Sequence, residues 1–121
     1  FTKAIINQEP IPVFNHGNCE RDYTYIDDIV HGIQQIMATD YAFEVVNLGE
    51  SQTISTNDLI ALIEDHVGKK AVKELLPAQP GDVERTFADI SFARERFGYA
   101  PSTQIEQGIE RFVQWFTKQF R

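Results

Sequence analysis

The sequence predicts an α/β fold of short strands and about four to five helices, and three features carry that expectation. Arg21-Asp22-Tyr23-Thr24-Tyr25-Ile26 is a β-branched and aromatic run that reads as a short strand. At Asp27-Asp28 it switches to Ile29, Ile33, Ile36 and Met37, spaced as one face of a helix. Glu44 to Leu48 is a second β-rich run, closed by Gly49, and its place between two helical patterns predicts a parallel or mixed sheet. Finally, Ser55 with Asp58 three residues on, then Leu59, Ile63, Val67 and Gly68, carries the start and stop signals of a capped helix.

The remaining elements follow in order. Phe1 to Ile6 has helical propensity but no capping residue ahead of it, so the chain is expected to be a fragment opening in mid-helix. Pro10 and Pro12 rule out helix between Asn7 and Pro12, and Ile11 to Phe14 is expected to be extended before a polar turn at Asn15 to Asn18. Asp27 and Asp28 suit a helix N-terminus, where carboxylates accept backbone N–H bonds and meet the positive end of the dipole. That helix is expected to end near Thr39-Asp40. Lys70 to Leu76 is weakly strand-like, Pro77 to Asp82 is a turn-rich loop, and Ser91 to Phe97 reads as a short helix stopped by Gly98. Thr103 and Glu106 have the spacing of a capping box for the last helix. Its Ile105, Ile109, Phe112, Phe116 and Phe120 make an apolar face broader than a small surface helix needs. The exposed remainder of that face is expected to drive self-association.

With 42% hydrophobic and 24% charged residues, 121 residues suffice for one domain with a modest core. Eleven basic against eighteen acidic residues argue against nucleic-acid and membrane partners, yet leave room for one local anion pocket. Cys19 is the only cysteine, which excludes an internal disulfide and a cysteine-based metal site and fits a cytoplasmic setting. His16, His31 and His66 show no metal-ligand spacing, and no apolar run approaches a membrane span.

An arginine fixed on a strand offers a fork of donors that matches phosphate or carboxylate, which makes Arg21 a candidate anion ligand. On physics alone, pairing with a nearby acid is an equal alternative. The segment RDYTYIDDIVHGI around it resembles a signature of the NAD-dependent epimerase/dehydratase family, the extended short-chain dehydrogenase/reductases. The form RDFTYIDDIV, typical of UDP-glucuronate 4-epimerases, is especially similar.

The resemblance runs across most of the chain. Phe1 to Ile5 is similar to the helix just downstream of the family's catalytic centre, and Pro12-Val13-Phe14-Asn15 to the strand beside the uracil ring. The resemblance implies that backbone groups near Phe14 read the base and that Arg21 binds the diphosphate. It further implies that Asp82, in Pro80-Gly81-Asp82-Val83, bonds the uridine ribose. Gln79 stands where many relatives carry an arginine, so one charge contact is lost or is supplied by Arg85. Thr86 to Asp89 and the last helix are implied scaffold. Duller readings stand beside these: Asp82 as the shaper of a Pro-Gly-Asp turn, Phe14 as core, Asp27 and Asp28 as helix-end residues, Cys19 and the histidines as bystanders.

Two features the family needs for catalysis are missing from these residues. There is no Gly-x-x-Gly-x-x-Gly turn, and none of Tyr23, Tyr25, Tyr41 and Tyr99 is followed four positions later by lysine. The resemblance therefore implies the C-terminal, substrate-binding portion of an extended short-chain dehydrogenase/reductase. Residues 1–121 would be its sugar-nucleotide-binding domain, with the Rossmann part and the NAD it binds outside the chain. No catalytic, cofactor-binding or metal residue is assigned, and the chain alone is expected to be inactive. The complete enzyme, expected to be a homodimer with a UDP-sugar as its partner, would convert UDP-glucuronate to UDP-galacturonate through a 4-keto sugar. A UDP-galactose epimerase, a sugar-nucleotide dehydratase and a non-catalytic nucleotide-sugar binding module are the alternatives.

Overall fold

The computed structural model describes residues 1–120. In chain order these form α1 (Thr2–Asn7), β1 (Pro10–Val13), a one-turn 3-10 segment (Phe14–Gly17), β2 (Glu20–Arg21), α2 (Ile26–Met37) and β3 (Ile54–Ser55). They continue through α3 (Thr56–Val67), β4 (Val72–Leu75), β5 (Arg85–Thr86), α4 (Ser91–Phe97) and α5 (Ile105–Gln119). This is the mixed α/β fold that the sequence predicts. β1 runs parallel to β4, Pro10 opposite Val72 and Val13 opposite Leu75. β2 is the centre of a three-stranded sheet, antiparallel to β3 and parallel to β5.

The main core lies where α1, β1, α3 and α5 meet, with Ile5, Ile11, Val13, Leu59, Ile60, Ile63 and Val113 buried together. The caps set the length of α3. The Ser55 hydroxyl oxygen accepts the Asp58 N–H at 3.0 Å, and Gly68 adopts a left-handed φ of 75° that closes the C-terminus. Glu64 is buried on this helix and still charged. It accepts the Lys70 ammonium at 2.7 Å and the Ala71 N–H at 2.8 Å, and these bonds hold its carboxyl below the usual range. They fasten the end of α3 to the start of β4.

A smaller core joins Ile90, Ala93 and Tyr99, with Val46, Leu48 and Ala88 packed against it. The Tyr99 hydroxyl donates to the Gly49 carbonyl at 2.9 Å. Burial first, then the charges of Asp28, Glu50 and Asp22, push this phenol up to about 12.

Three expected elements differ. The strand expected from Arg21 to Ile26 stops at Arg21, because the Asp22 carboxylate turns onto backbone N–H groups of two other loops. Glu44 to Leu48 forms no strand. Val46 and Leu48 pack on the smaller core while Phe43 and Val45 lie exposed, and among the described residues no backbone partner runs alongside. β-propensity without a neighbouring strand leaves only extended chain. The capping box of Thr103 and Glu106 also fails to form; Gln104 is the N-cap of α5 and makes no side-chain bond there.

Asp28 explains that last difference. Its carboxylate accepts the N–H groups of Ser102 and Thr103 at 3.1 and 3.0 Å, tying the first turn of α2 to the entry of α5 instead of capping its own helix. Burial alone would raise its pKa, but the bonds from Thr103 and Ser102 outweigh burial and leave it lowered. Apolar side chains remain outside both cores. Ile26, Val30, Ile33 and Met37 form an exposed stripe along α2, and Phe112 and Trp115 lie exposed on α5, with Phe120 exposed just past its end. The α5 rings pack on one another, Phe116 against Phe120 at 4.8 Å between centroids.

Candidate functional site

β2 is only two residues long, yet it has a strand on either side, so the Arg21 backbone is held between Ile54 and Thr86. The side chain is held as firmly. Nη2 donates to Asp82 Oδ1 at 2.8 Å, and Nη1 donates to the carbonyls of Glu20 at 2.7 Å and Glu84 at 3.4 Å. A guanidinium has five N–H donors, so two are left for a ligand once these three bonds are made. Arg21 and Asp82 are 28% and 33% exposed, buried enough to be held and open enough to be reached. Arg21 lines two concavities. One of about 530 Å³ is walled by Asp22, Thr24, Asn47, Gly49 and Phe87, and one of about 130 Å³ by Tyr23, Glu50, Gln52 and Gln104.

Asp82 follows the left-handed Gly81 (φ 83°) and donates its own N–H to the Gln79 carbonyl at 3.1 Å. It therefore does shape the turn, and its carboxylate still projects to Arg21. Cys19 Sγ lies 3.8 Å from Asp82 Oδ2 and 3.4 Å from Asn15 Nδ2. This thread of contacts leads from Arg21 through Asp82 and Cys19 to Asn15, the neighbour of Phe14. Phe14 opens the 3-10 segment at the end of β1, half out of the core. The turn behind it holds Asn15 and His16 at φ 48° and 51°, a left-handed conformation that is costly for non-glycine residues. The Asn57 side chain donates to the His16 carbonyl at 2.9 Å, and the His16 N–H donates to the Leu76 carbonyl at 3.1 Å.

Arg85 stands apart from that pair. The register sets it opposite Glu20, whose Oε2 forms an ion pair with its Nε at 3.1 Å; Nε–H donates to Thr53 Oγ1 at 3.2 Å, and the guanidinium covers the Phe87 ring at 5.0 Å. Tyr23 and Glu50 border the small concavity, and burial raises both. The Arg21 charge offsets part of the rise at Tyr23, whereas the negative charges of Asp28 and Asp22 add to it at Glu50.

Sequence reasoning missed Asp22. Its Oδ1 accepts the Glu50 N–H at 2.9 Å and the Thr24 hydroxyl at 3.2 Å; its Oδ2 accepts the Ser51 N–H at 3.0 Å and the Ala88 N–H at 3.1 Å. The available signal was an acid inside a β-branched and aromatic run, where a carboxylate survives only with partners. A concavity of about 780 Å³ between α1, α3 and α5 contains none of the nominated residues and is lined by Lys3, His66, Lys69 and Phe116 among others. Charge and held donors, which recognise an anion, converge at Arg21 instead. Among the described residues no cluster suits a metal ion, and no helix is long and apolar enough to cross a membrane.

The fold is that of part of an extended short-chain dehydrogenase/reductase. The chain belongs to the GDP-mannose 4,6 dehydratase family, whose model matches residues 1–112. It is 41% identical over 116 residues to a UDP-glucuronate 4-epimerase of Thermodesulfobacterium geofontis, a match over 95% of this chain and 36% of that protein. A probable UDP-glucuronate 4-epimerase of Rhizobium meliloti is 35% identical over 140 residues, 100% of this chain and 41% of the relative. The crystal structure of UDP-glucuronic acid 4-epimerase from Bacillus cereus, in complex with UDP-glucuronic acid and NAD, superposes with a TM-score of 0.89 at 31% identity. That match takes in 98% of this chain and 38% of the other. The chain thus spans about two fifths of the length of these relatives.

Proposed function

We propose that this chain is the sugar-nucleotide-binding part of an NAD-dependent epimerase that converts UDP-glucuronate to UDP-galacturonate. Arg21 holds the diphosphate, Asp82 the uridine ribose, backbone groups near Phe14 the uracil, and Arg85 adds positive charge in a loop where Gln79 has none. Arg21 does pair with an acid, Asp82, and the observation that carries this reading is that its guanidinium, held by that bond, keeps two donors to spare beside an open concavity. The work of this part is anchoring. Binding energy from the remote uridine diphosphate holds the substrate while the sugar keeps the freedom to turn.

The residues of this chain do not fit NAD, since they include neither a glycine-rich phosphate turn nor a Tyr-x-x-x-Lys pair. A Rossmann part supplies that site, and residues 1–121 alone are inactive. The exposed stripe on α2 and the extended run at 44–48, unpaired among the described residues, support a docking surface for such a part. The complete enzyme is a cytoplasmic homodimer in this reading.

The test is to incubate the full-length protein with UDP-glucuronate and NAD and separate the products by chromatography. UDP-galacturonate is the expected product. UDP binding without turnover would leave a nucleotide-sugar binding module, and absence of UDP binding would refute the site. In calorimetry, Arg21→Ala should weaken UDP binding by about 1.5–3 kcal/mol, the range for hydrogen bonds to a charged group. Unchanged affinity would remove the diphosphate from Arg21.

A further inference from the structure

We infer that Asp22 is a positioning residue for the anion site, one that sets where the Arg21 guanidinium lies by clamping two loops behind it. The inference rests on the reading of Arg21 as the diphosphate ligand and adds a residue to it. A single carboxylate takes four hydrogen bonds, from Thr24, Glu50, Ser51 and Ala88, and three of these donors are backbone N–H groups on two other segments of the chain. Those segments form the wall of the larger concavity that Arg21 also lines. Packing there leaves no slack. A Cβ on Gly49 would lie 2.6 Å from Ala88 Cβ and 2.7 Å from Asp22 Oδ2, so the two loops and Asp22's own segment meet at van der Waals distance around the carboxylate.

Arg21 is the next residue in the chain, and its strand has only two residues with which to hold register. The loops after β5 and before β3 are those that carry Ala88 and Ser51, so Asp22 joins both flanking strands to β2 one residue beyond the ladder. Ser51 adopts a φ of 62°, a left-handed conformation that costs energy without glycine and persists only where its surroundings impose it. Its N–H bond to Asp22 is one such constraint. An amide at position 22 would keep one acceptor oxygen and turn two N–H donors toward the backbone N–H groups, so it cannot serve all four.

The experiment is a double-mutant cycle on the full-length protein, comparing UDP affinity in wild type, Arg21→Ala, Asp22→Asn and the double variant. Asp22→Asn is expected to weaken UDP binding about tenfold in the parent and to have no further effect once Arg21 is removed. An unchanged affinity, or an equal loss in both backgrounds, would overturn the inference, because a merely structural role adds independently. The Arg21 Nε–H resonance, followed without ligand, separates this inference from the reading beneath it. If wild type fails to bind UDP, that reading falls. Asp22→Asn must still shift or broaden the resonance, and an unmoved resonance overturns the positioning role. Should Asp22→Asn not fold, Asp22→Glu, which keeps the charge but displaces it by one methylene, takes its place with the same expectations.

Discussion

Gly32→Ala sets two opposing effects against each other in the middle of α2. Helix propensity favours the alanine by about 0.8–1.0 kcal/mol. Packing opposes it. The new Cβ would sit 2.7 and 2.8 Å from Cδ2 and Cε2 of Tyr99 and 3.1 Å from Cδ2 of Leu48, so the ring must move. Tyr99 is 1% exposed and its hydroxyl is bonded to the Gly49 carbonyl, so it has nowhere to go without giving up that bond. Overpacking of this kind costs about 1–3 kcal/mol. The lost hydrogen bond adds about 1 kcal/mol. The net expectation is destabilisation by about 1–3 kcal/mol, read as a lower urea midpoint at unchanged slope by circular dichroism. In a Tyr99→Ala background the ring is gone and only the 3.1 Å contact with Leu48 remains, so the same substitution should cost less than in the parent. A Gly32→Ala variant as stable as the parent would refute the reasoning. Because Tyr99 anchors Gly49, the substitution should also loosen the wall of the concavity at Arg21.

Other outcomes follow from the same contacts. Ser55→Ala removes the acceptor for the Asp58 N–H and should cost about 1 kcal/mol of stability in urea titration. Glu64 has a folded pKa below its ordinary 4.5, so its contribution is fully present above about pH 4.5 and is lost as pH falls through the folded value. Glu64→Gln should therefore flatten the acid limb of stability against pH and cost about 1–2 kcal/mol at neutral pH, with the Lys70 end of the bond discounted for its exposure. The bare aromatic face of α5 and the apolar stripe of α2 should make the chain self-associate at tens of micromolar, as sedimentation would show. Strictly monomeric behaviour at that concentration would count against it.

The sequence by itself determined whatever is decided within a turn or two of chain. Ser55, Asp58 and Gly68 marked both ends of α3, and Gly98 marked the end of α4. Pro10 and Pro12 excluded helix where β1 lies, and periodic apolar residues located α2 and α5. Capping, proline geometry and helical spacing are local physics, so they survive in a one-dimensional string. The family signature around Arg21 pointed to the right family for a related reason, since a motif records a local arrangement. Only the tertiary structure decided what distant carboxylates do. Asp82 reaches Arg21 across 61 positions, Asp28 bonds Ser102 and Thr103 across more than 70, and Asp22 gathers Glu50, Ser51 and Ala88. The Glu44 to Leu48 run shows the same limit from the other side, because a strand exists only when a neighbour pairs with it. A helix satisfies its own backbone, whereas a strand or a buried charge depends on residues that no local pattern specifies.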